Sequence, residues 1–145
     1  MNVIRRSALV PYGAQEMYSL VSDIAAYPQF LPWCGGAQVL AREGEMLTAS
    51  IVIAYNGLHK SFTTRNRLIP DTRIDMRLLE GPFKHLAGLW RFTALDAQSS
   101  KVSLDMEFEF SNRLLGMMAG PAFTHIVNGM VDSFLKRAVE VYGKR

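Results

Sequence analysis

The chain has 145 residues, of which 49% are hydrophobic and 20% are charged, and its formal net charge is +3. This length is most simply one domain spanning residues 1–145, and the composition is typical of an ordinary globular protein. Cys34 is the only cysteine, which excludes an internal disulfide and argues against a cysteine-built metal site.

The first part of the chain predicts a strand, a helix and a proline-restricted connection. Residues Asn2–Val10 are a predicted strand, and apolar side chains at helical spacing predict a helix over Ala14–Ile24. The segment 25–33 contains two prolines, so we expect no more than one short helical turn there. No stretch resembles a signal peptide or reaches the length of a membrane span, so we expect a cytoplasmic protein.

From Gly36 onward the apolar residues recur with a period of two, which predicts a series of strands. Asn56-Gly57 is the strongest hairpin signal among the breaks between them. The last strand alternates most cleanly, with apolar residues on one face and serine or acidic residues on the other. The predicted strands are Ala37–Arg42, Met46–Tyr55, Leu58–Ile69, Arg73–Leu79, His85–Leu95 and Lys101–Phe110.

Apolar side chains at spacings of three and four predict one long amphipathic helix from Gly120 to Tyr142. Pro121 suits its first turn, and Gly143 suits its C-terminal cap. Such a helix, roughly 33 Å long, needs a broad apolar partner, which the sheet supplies. We therefore predict an α+β fold in which a curved antiparallel sheet of six or seven strands wraps around a long C-terminal α-helix, with small helices after the first strand.

A sheet curved around a helix encloses volume, and the sequence leaves two interpretations of that interior. Large apolar side chains on the inward faces suit a close-packed core. The eight methionines supply adaptable contact surface instead. Gly88 lies on the same predicted face as Trp90 and Phe92 and would leave space beneath the helix, which favours an open cavity.

Short motifs follow one another along the whole chain: Val21-Ser22-Asp23-Ile24, Tyr27-Pro28-x-Phe30-Leu31-Pro32-Trp33-Cys34, Phe62-x-Thr64-Arg65-Asn66, Gly81-Pro82-Phe83, Gly88-x-Trp90-x-Phe92, Phe108-x-Phe110 and Phe134-x-x-Arg137-Ala138. Together they resemble the START-like coenzyme-Q-binding proteins, a branch of the polyketide cyclase/dehydrase superfamily. Bacterial members of this family are also called ribosome association toxins. The second motif is the most specific of the set. The resemblance implies a helix-grip fold, in agreement with the periodicity.

The resemblance also implies an open apolar cavity that binds ubiquinone (coenzyme Q) or a related isoprenoid, as a non-enzymatic carrier or chaperone that supports respiration. No cofactor other than this bound ligand is expected. A pocket of ~300–1,000 Å³ would enclose the head group and the first isoprene units, while the rest of the tail trails out. The candidate cavity residues are Phe30, Trp33, Tyr55, Phe62, Met76, Leu78, Trp90, Phe92, Met106, Phe108, Phe110, Phe123, Val127, Met130 and Phe134.

The segment 111–120 joins the last predicted strand to the helix and is rich in apolar residues. One interpretation is a connecting loop with a few buried anchors. The other is a flexible gate that contacts the inner-membrane surface while lipid enters, with Phe30 and Trp33 as the opposite lip. Trp33 suits a packing anchor equally well. The candidate gate residues are Leu114, Leu115, Met117 and Met118.

Basic residues concentrate on the central strands. They are the candidate contacts for the second function that the family names imply. In that function the chain binds the large ribosomal subunit and hinders subunit joining. The side chains would contact phosphates of ribosomal RNA, or they form a solvated outer face with cross-strand acidic partners. The candidate RNA contacts are Lys60, Arg65, Arg67, Arg73 and Arg77.

Catalysis has little support in the sequence. His59, His85 and His125 lie far apart and lack metal-ligand spacing, so no metal site is predicted. No nucleophile elbow, phosphate-binding glycine loop or dinucleotide motif is present. An aromatase or cyclase, which the superfamily includes, remains a third hypothesis, and it requires an inward-facing ionisable pair.

Overall fold

The computed structural model describes residues 1–145 and contains seven strands and two α-helices. The first strand and the helical segments after it are β1 (Asn2–Val10), α1 (Ala14–Ser22) and a 3-10 helix (Ile24–Gln29). The sheet continues with β2 (Cys34–Glu43), β3 (Met46–Tyr55), β4 (Leu58–Ile69), β5 (Arg73–Glu80), β6 (Phe83–Ala94) and β7 (Ser100–Phe110). The chain closes with α2 (Arg113–Tyr142). The predicted α+β architecture is confirmed.

All seven strands form one antiparallel sheet in the order β1-β7-β6-β5-β4-β3-β2. Strands β2 to β6 each pair with the next strand along the chain, whereas β1 pairs with β7, so α1 and the 3-10 helix cross from one sheet edge to the other. Asn56 and Gly57 have positive φ angles of 48° and 81°. A tight two-residue turn between twisted strands requires this conformation, so the predicted hairpin is confirmed.

Helix α2 lies on the inner face of the sheet and packs against β1, β7 and α1. The backbones of β3 to β5 have few close approaches to it, so the interior is widest on that side. By length and composition alone α2 would also suit a membrane span, but one of its faces packs into the core. Its buried residues are Ala119, Phe123, Ile126, Val127, Met130, Val131, Phe134 and Ala138.

The start of α2 differs from the prediction. The helix begins at Arg113, so the segment predicted to be a loop forms its first turns. The Asn112 side chain accepts a hydrogen bond of 2.8 Å from the backbone N–H of Leu115, which is an N-cap contact. Pro121 therefore lies inside the helix, where it removes one backbone hydrogen bond to the preceding turn.

The end of α2 is anchored to the start of α1. The Tyr12 hydroxyl donates to the carbonyl oxygen of Gly143 at 2.6 Å. The Arg145 guanidinium donates to both carboxylate oxygens of Glu16, at 2.7 and 2.9 Å, and lies over the Tyr12 ring. Hydrogen bonds from Arg145 and from the Gly13 backbone lower the pKa of the Glu16 carboxyl.

Candidate functional site

An apolar cavity lies between α2 and the β3–β6 part of the sheet, closed at one end by α1 and the 3-10 helix. Its volume is about 60 Å³, and 17 of its 21 lining residues are hydrophobic. The wall contains no acidic or basic side chain. The lining residues are Val21, Ser22, Ile24, Tyr27, Trp33, Ile51, Ile53, Phe62, Thr64, Asn66, Leu68, Ile74, Met76, Leu86, Gly88, Trp90, Met106, Phe123, Ile126, Val127 and Met130.

The structure divides the candidate cavity residues into two groups. Those on the cavity wall are Trp33, Phe62, Met76, Trp90, Met106, Phe123, Val127 and Met130. Those off the wall are Phe30, Tyr55, Leu78, Phe92, Phe108, Phe110 and Phe134. Phe108 and Phe134 are fully buried in the core. Tyr55 stacks on His125 with ring centroids 5.7 Å apart, and Phe30 lies under the guanidinium of Arg137.

The sequence interpretation missed the wall contributed by the first helical segments. Val21, Ile24 and Tyr27 reach the cavity from α1 and the 3-10 helix. The helical spacing of Val21 and Ile24 marked them as inward-facing, but the crossing connection that brings them over the sheet is a tertiary feature. It also missed three polar residues of the wall, Ser22, Thr64 and Asn66, although each belongs to a quoted motif.

Gly88 does not leave the open space that the sequence suggested. On either side of β6 it pairs in register with Met76 of β5 and Met106 of β7. A Cβ atom at Gly88 would lie 2.5 Å from the Cε of Met76 and 3.1 Å from the Sδ of Met106. The two methionine tips therefore fill the hollow above Gly88. What remains is well below the ~300–1,000 Å³ of ligand pockets, so a ligand must displace side chains.

The ionisable groups beside the cavity are poor acids and bases. The Tyr27 hydroxyl donates to the backbone carbonyl of Val21, and burial raises the pKa of Tyr27. Burial also raises the pKa of the Cys34 thiol, which contacts the carbonyl oxygen of Gly36 at 3.3 Å. A raised thiol pKa lowers the thiolate fraction, so Cys34 is a buried apolar residue and not a nucleophile.

The candidate gate occupies the first turns of α2. Leu114, Met117 and Met118 are exposed, whereas Leu115 is half-buried and packs against the core. Exposed methionines and leucines on one short helical stretch form an apolar surface, which is unusual unless it meets another apolar body. The structure thus places the gate residues on a helix and not on a loop.

The outer face of the sheet carries two pairs of arginines that lie opposite each other across neighbouring strands. Arg65 lies directly opposite Arg77, and Arg73 lies directly opposite Arg91. Like charges in such positions repel each other. Acidic side chains also lie on this face: Asp75 is opposite Arg67 and pairs with Arg77 of its own strand at 3.4 Å, and Asp105 is opposite Arg5.

The other two candidate RNA contacts, Arg67 and Lys60, lie on opposite faces of the sheet. Arg67 shares the outer face and pairs with Glu45 at 3.3 Å. Lys60 lies opposite the buried Ile53, so its position belongs to the inner face, and it is exposed because it stands at the end of β4. The expectation that Lys60 joins the arginine face is therefore wrong: the period of two puts it on the other side.

The curved sheet, the long helix on its inner face and the apolar cavity between them define a helix-grip protein. The chain belongs to the START-like family described as polyketide cyclase / dehydrase and lipid transport, whose sequence model matches residues 10–135. This finding confirms the resemblance drawn from the motifs.

Individual relatives show which branch of the family is similar. The ribosome association toxin RatA of Pseudomonas aeruginosa is 44% identical over 140 residues, covering 97% of each chain. The mitochondrial coenzyme Q-binding protein COQ10 homolog B of Xenopus laevis is 27% identical over 143 residues, covering 96% of this chain and 59% of that protein. A START superfamily protein from Mycobacterium smegmatis has a TM-score of 0.81 at 20% identity, covering 96% of this chain and 98% of that one, and supports the fold alone.

Proposed function

We propose that this chain is a non-enzymatic lipid-binding protein that holds ubiquinone or a related isoprenoid in the cavity beneath α2. The observation that carries the proposal is the cavity wall, with 17 hydrophobic residues among 21 and no charged side chain. In this role the protein is a cytoplasmic carrier or chaperone that supports respiratory electron transport and contacts the inner membrane transiently. The ligand is the only bound cofactor that the proposal requires.

The free energy of tail burial is sufficient for such binding. Each buried methylene contributes about 0.8 kcal/mol, so one five-carbon isoprene unit contributes roughly 3–4 kcal/mol before ordering costs. Three units contribute roughly 9–12 kcal/mol, so after association costs of at least about 4 kcal/mol they approach micromolar affinity, near −8 kcal/mol. The unbound cavity is too small for this, and displacement of Met76 and Met106 is the adjustment that provides room, because unbranched thioether side chains change rotamer readily.

The exposed apolar turns of α2 supply a route for lipid. Met117 and Met118 are 69% and 73% exposed, beside the half-buried Leu115 that packs on the core. A membrane surface would cover these side chains and shorten the path of a lipid from bilayer to cavity. Gly116 and Gly120, within the same turns, make this end of α2 easier to bend than the rest.

Extraction of freshly purified protein with organic solvent, followed by mass spectrometry, tests the proposal. We expect a ubiquinone at a substantial fraction of the protein concentration. A matched pair of variants gives the control: Val127→Leu adds a methylene to the cavity wall, and Val131→Leu adds one to the buried core outside it. We expect less co-purified quinone only with Val127→Leu. Absence of any isoprenoid, together with no binding of added quinone, would contradict the proposal.

A second candidate function is association with the large ribosomal subunit, which would hinder subunit joining. The name of the Pseudomonas aeruginosa relative and the facing arginine pairs favour it. An RNA phosphate would relieve the repulsion between Arg65 and Arg77, and binding would weaken steeply with added salt.

Co-sedimentation with large subunits at several salt concentrations tests this second function. The double variant Arg65→Gln/Arg77→Gln should lower the slope of log affinity against log salt by about 1 for each lost phosphate contact. The control is Lys136→Gln, which removes an exposed positive charge from α2. Equal slopes for wild type and the arginine double variant would contradict phosphate contacts by these arginines of the outer face.

An aromatase or cyclase is the third function of this family and has less support. The only ionisable side chain on the cavity wall is the phenol of Tyr27, whose pKa burial raises. General acid–base catalysis needs a group that exchanges a proton near neutral pH. The geometry therefore favours binding over chemistry.

A further inference from the structure

Asn66 is a buried polar residue whose side chain lacks a hydrogen-bond partner at one atom. It lies in the middle of β4, is 2% exposed and lines the apolar cavity. Its Oδ1 is buried and accepts no hydrogen bond. The other buried side-chain atom without a partner is Nε2 of His85, which does not line the cavity. An unpaired buried acceptor is rare in folded proteins and calls for a physical reason.

The residues in register with Asn66 offer no side-chain donor. Its neighbours across the strands are Leu47 on β3 and Met76 on β5, and the next inward residue on β4 is Leu68. Ser100 shows the usual solution elsewhere in the fold, because its fully buried hydroxyl donates to the carbonyl oxygen of Tyr12 at 2.8 Å. A leucine at position 66 would pack in this wall without any unpaired atom. No hydrogen bond within the protein accounts for the carboxamide oxygen, and a partner that enters the cavity would account for it.

The chemistry of a carboxamide restricts what that partner is. The oxygen accepts and the nitrogen donates two hydrogen bonds. A quinone ring carries only acceptors, so it pairs with the nitrogen and leaves the oxygen alone. A hydroxyl both donates and accepts, so it satisfies the carboxamide whichever way the amide is turned. The uncharged wall excludes a phosphate or carboxylate as a stable partner, since neither would find a cation.

We propose that Asn66 recognises a hydroxyl group on the head of the bound ligand, so that the cavity prefers a hydroquinone to the corresponding quinone. The inference rests on the proposed lipid-binding function and adds the redox form that this site selects. Thr64 lies two residues earlier on the same inward row and also lines the cavity. It offers a second polar side chain for the same head group, about 7 Å along the strand.

Anaerobic calorimetric titration with a short-chain ubiquinone and with its chemically reduced hydroquinone tests the inference. We expect wild type to bind the hydroquinone about fivefold to thirtyfold more tightly, which is the effect of pairing one otherwise unpaired buried group. Asn66→Leu should bring the two affinities together, mainly by weakening hydroquinone binding. Thr63→Val, which replaces a hydroxyl by a methyl group of similar size at a buried position off the cavity wall, is the matched control and should retain the preference.

Each outcome of this experiment has a definite meaning. Equal affinities of wild type for the two forms would overturn the inference and leave the proposed function standing. A preference that survives in Asn66→Leu would overturn the role of this residue. Binding of neither form would overturn the proposed function and the inference together. Thermal unfolding of each variant checks folding, and the wild-type ratio decides the main point even where a variant does not fold.

Discussion

The substitution Gly88→Ala tests whether the methionines above Gly88 are an adjustable part of the cavity wall. The added Cβ would lie 2.5 Å from the Cε of Met76 and 3.2 Å from the Cε of Met106. These atoms are the far ends of flexible side chains, so both tips can rotate away. The remaining space, about 60 Å³, is what they would rotate into.

The expected change in stability is the difference between opposing contributions. Overpacking a core costs about 1–3 kcal/mol. Burial of the new methyl group contributes about 0.8 kcal/mol, and the smaller entropy of the unfolded alanine chain contributes about 0.4–1 kcal/mol. The midpoints of these ranges leave a net loss of about 0.5 kcal/mol. For 145 residues the entropy of unfolding is about 0.3 kcal/mol/K, so Tm should fall by about 2 °C.

The effect of Gly88→Ala on ligand binding should be larger than its effect on stability. Methionine tips pushed into the cavity take space from the ligand, and each displaced methylene of the ligand costs about fourfold in affinity. The fluorescence of Trp33 and Trp90 reports binding, because both tryptophans line the cavity. Addition of Met76→Leu removes the closest clashing atom and should restore much of the affinity.

Gly36→Ala is the matched control, because a Cβ there would make only ordinary contacts, of 3.6 Å and more, with Val52. This variant should leave ligand affinity unchanged and raise Tm by about 1–3 °C, because the smaller entropy of the unfolded alanine chain is not opposed by a clash. Two results would refute the reasoning on Gly88→Ala. A loss of more than about 3 kcal/mol, beyond the usual cost of overpacking, would mean that the methionine tips are fixed. An unchanged affinity would mean that the ligand does not reach this part of the cavity.

Three further predictions concern α2 and its ends. Gly129→Ala should raise stability by about 0.8–1 kcal/mol, measured by denaturant unfolding, because alanine favours the helix and a Cβ at this position meets no atom within 4 Å. Arg145→Ala should lower Tm more at pH 7 than in acid. The Glu16 pKa is depressed below its ordinary 4.5 in the folded state, so the ion pair stabilises above that pH and is lost as pH falls through the lower folded value. The difference in Tm should therefore shrink below pH 4.5 to the part due to packing on the Tyr12 ring, and a difference as large at pH 2 as at pH 7 would contradict the assignment. Met118→Asp should slow quinone uptake from vesicles without changing Tm, whereas Leu95→Asp, at another exposed apolar position, should leave the uptake rate unchanged.

The strands could be predicted from the sequence because local signals agreed with the tertiary structure. The bounds of β3 and β4 match the prediction at both ends, and Asn56-Gly57 fixed the turn between them. In β7 the strict alternation of apolar and polar residues gave both the strand and its inward face. Such signals suffice for a strand that has one buried face and one exposed face.

The start of α2 could not be predicted from the same kind of signal. Pro121 is typical of a first helical turn, and the glycines before it weaken a helix, so the pattern indicated a later beginning. The structure begins the helix at Arg113 because Asn112 caps it and because Leu115 packs on the core. Tertiary packing thus outweighs the local preference, and a row of exposed residues becomes part of the helix.

The cavity shows a second limit of the sequence. Periodicity assigns Gly88, Met76 and Met106 to the inward face. It does not reveal that the side chains of Met76 and Met106 cover Gly88. That contact depends on the register of three strands. The role of Asn66 was hidden for a related reason: a polar residue on an inward row is noticeable only once its neighbours are known to offer no partner.

The two faces of β4 keep the two proposed functions physically separate. Asn66 faces the cavity, while Arg65 and Arg67 on either side of it face outward. Because successive side chains of a strand point to opposite sides, residues adjacent in sequence are divided by the thickness of the sheet. An inward substitution that keeps the fold should therefore leave the arginine face unchanged, and the reverse also holds. If Asn66→Leu altered both quinone binding and ribosome co-sedimentation, the two would be linked through the bound ligand, because the substituted side chain itself does not reach the outer surface.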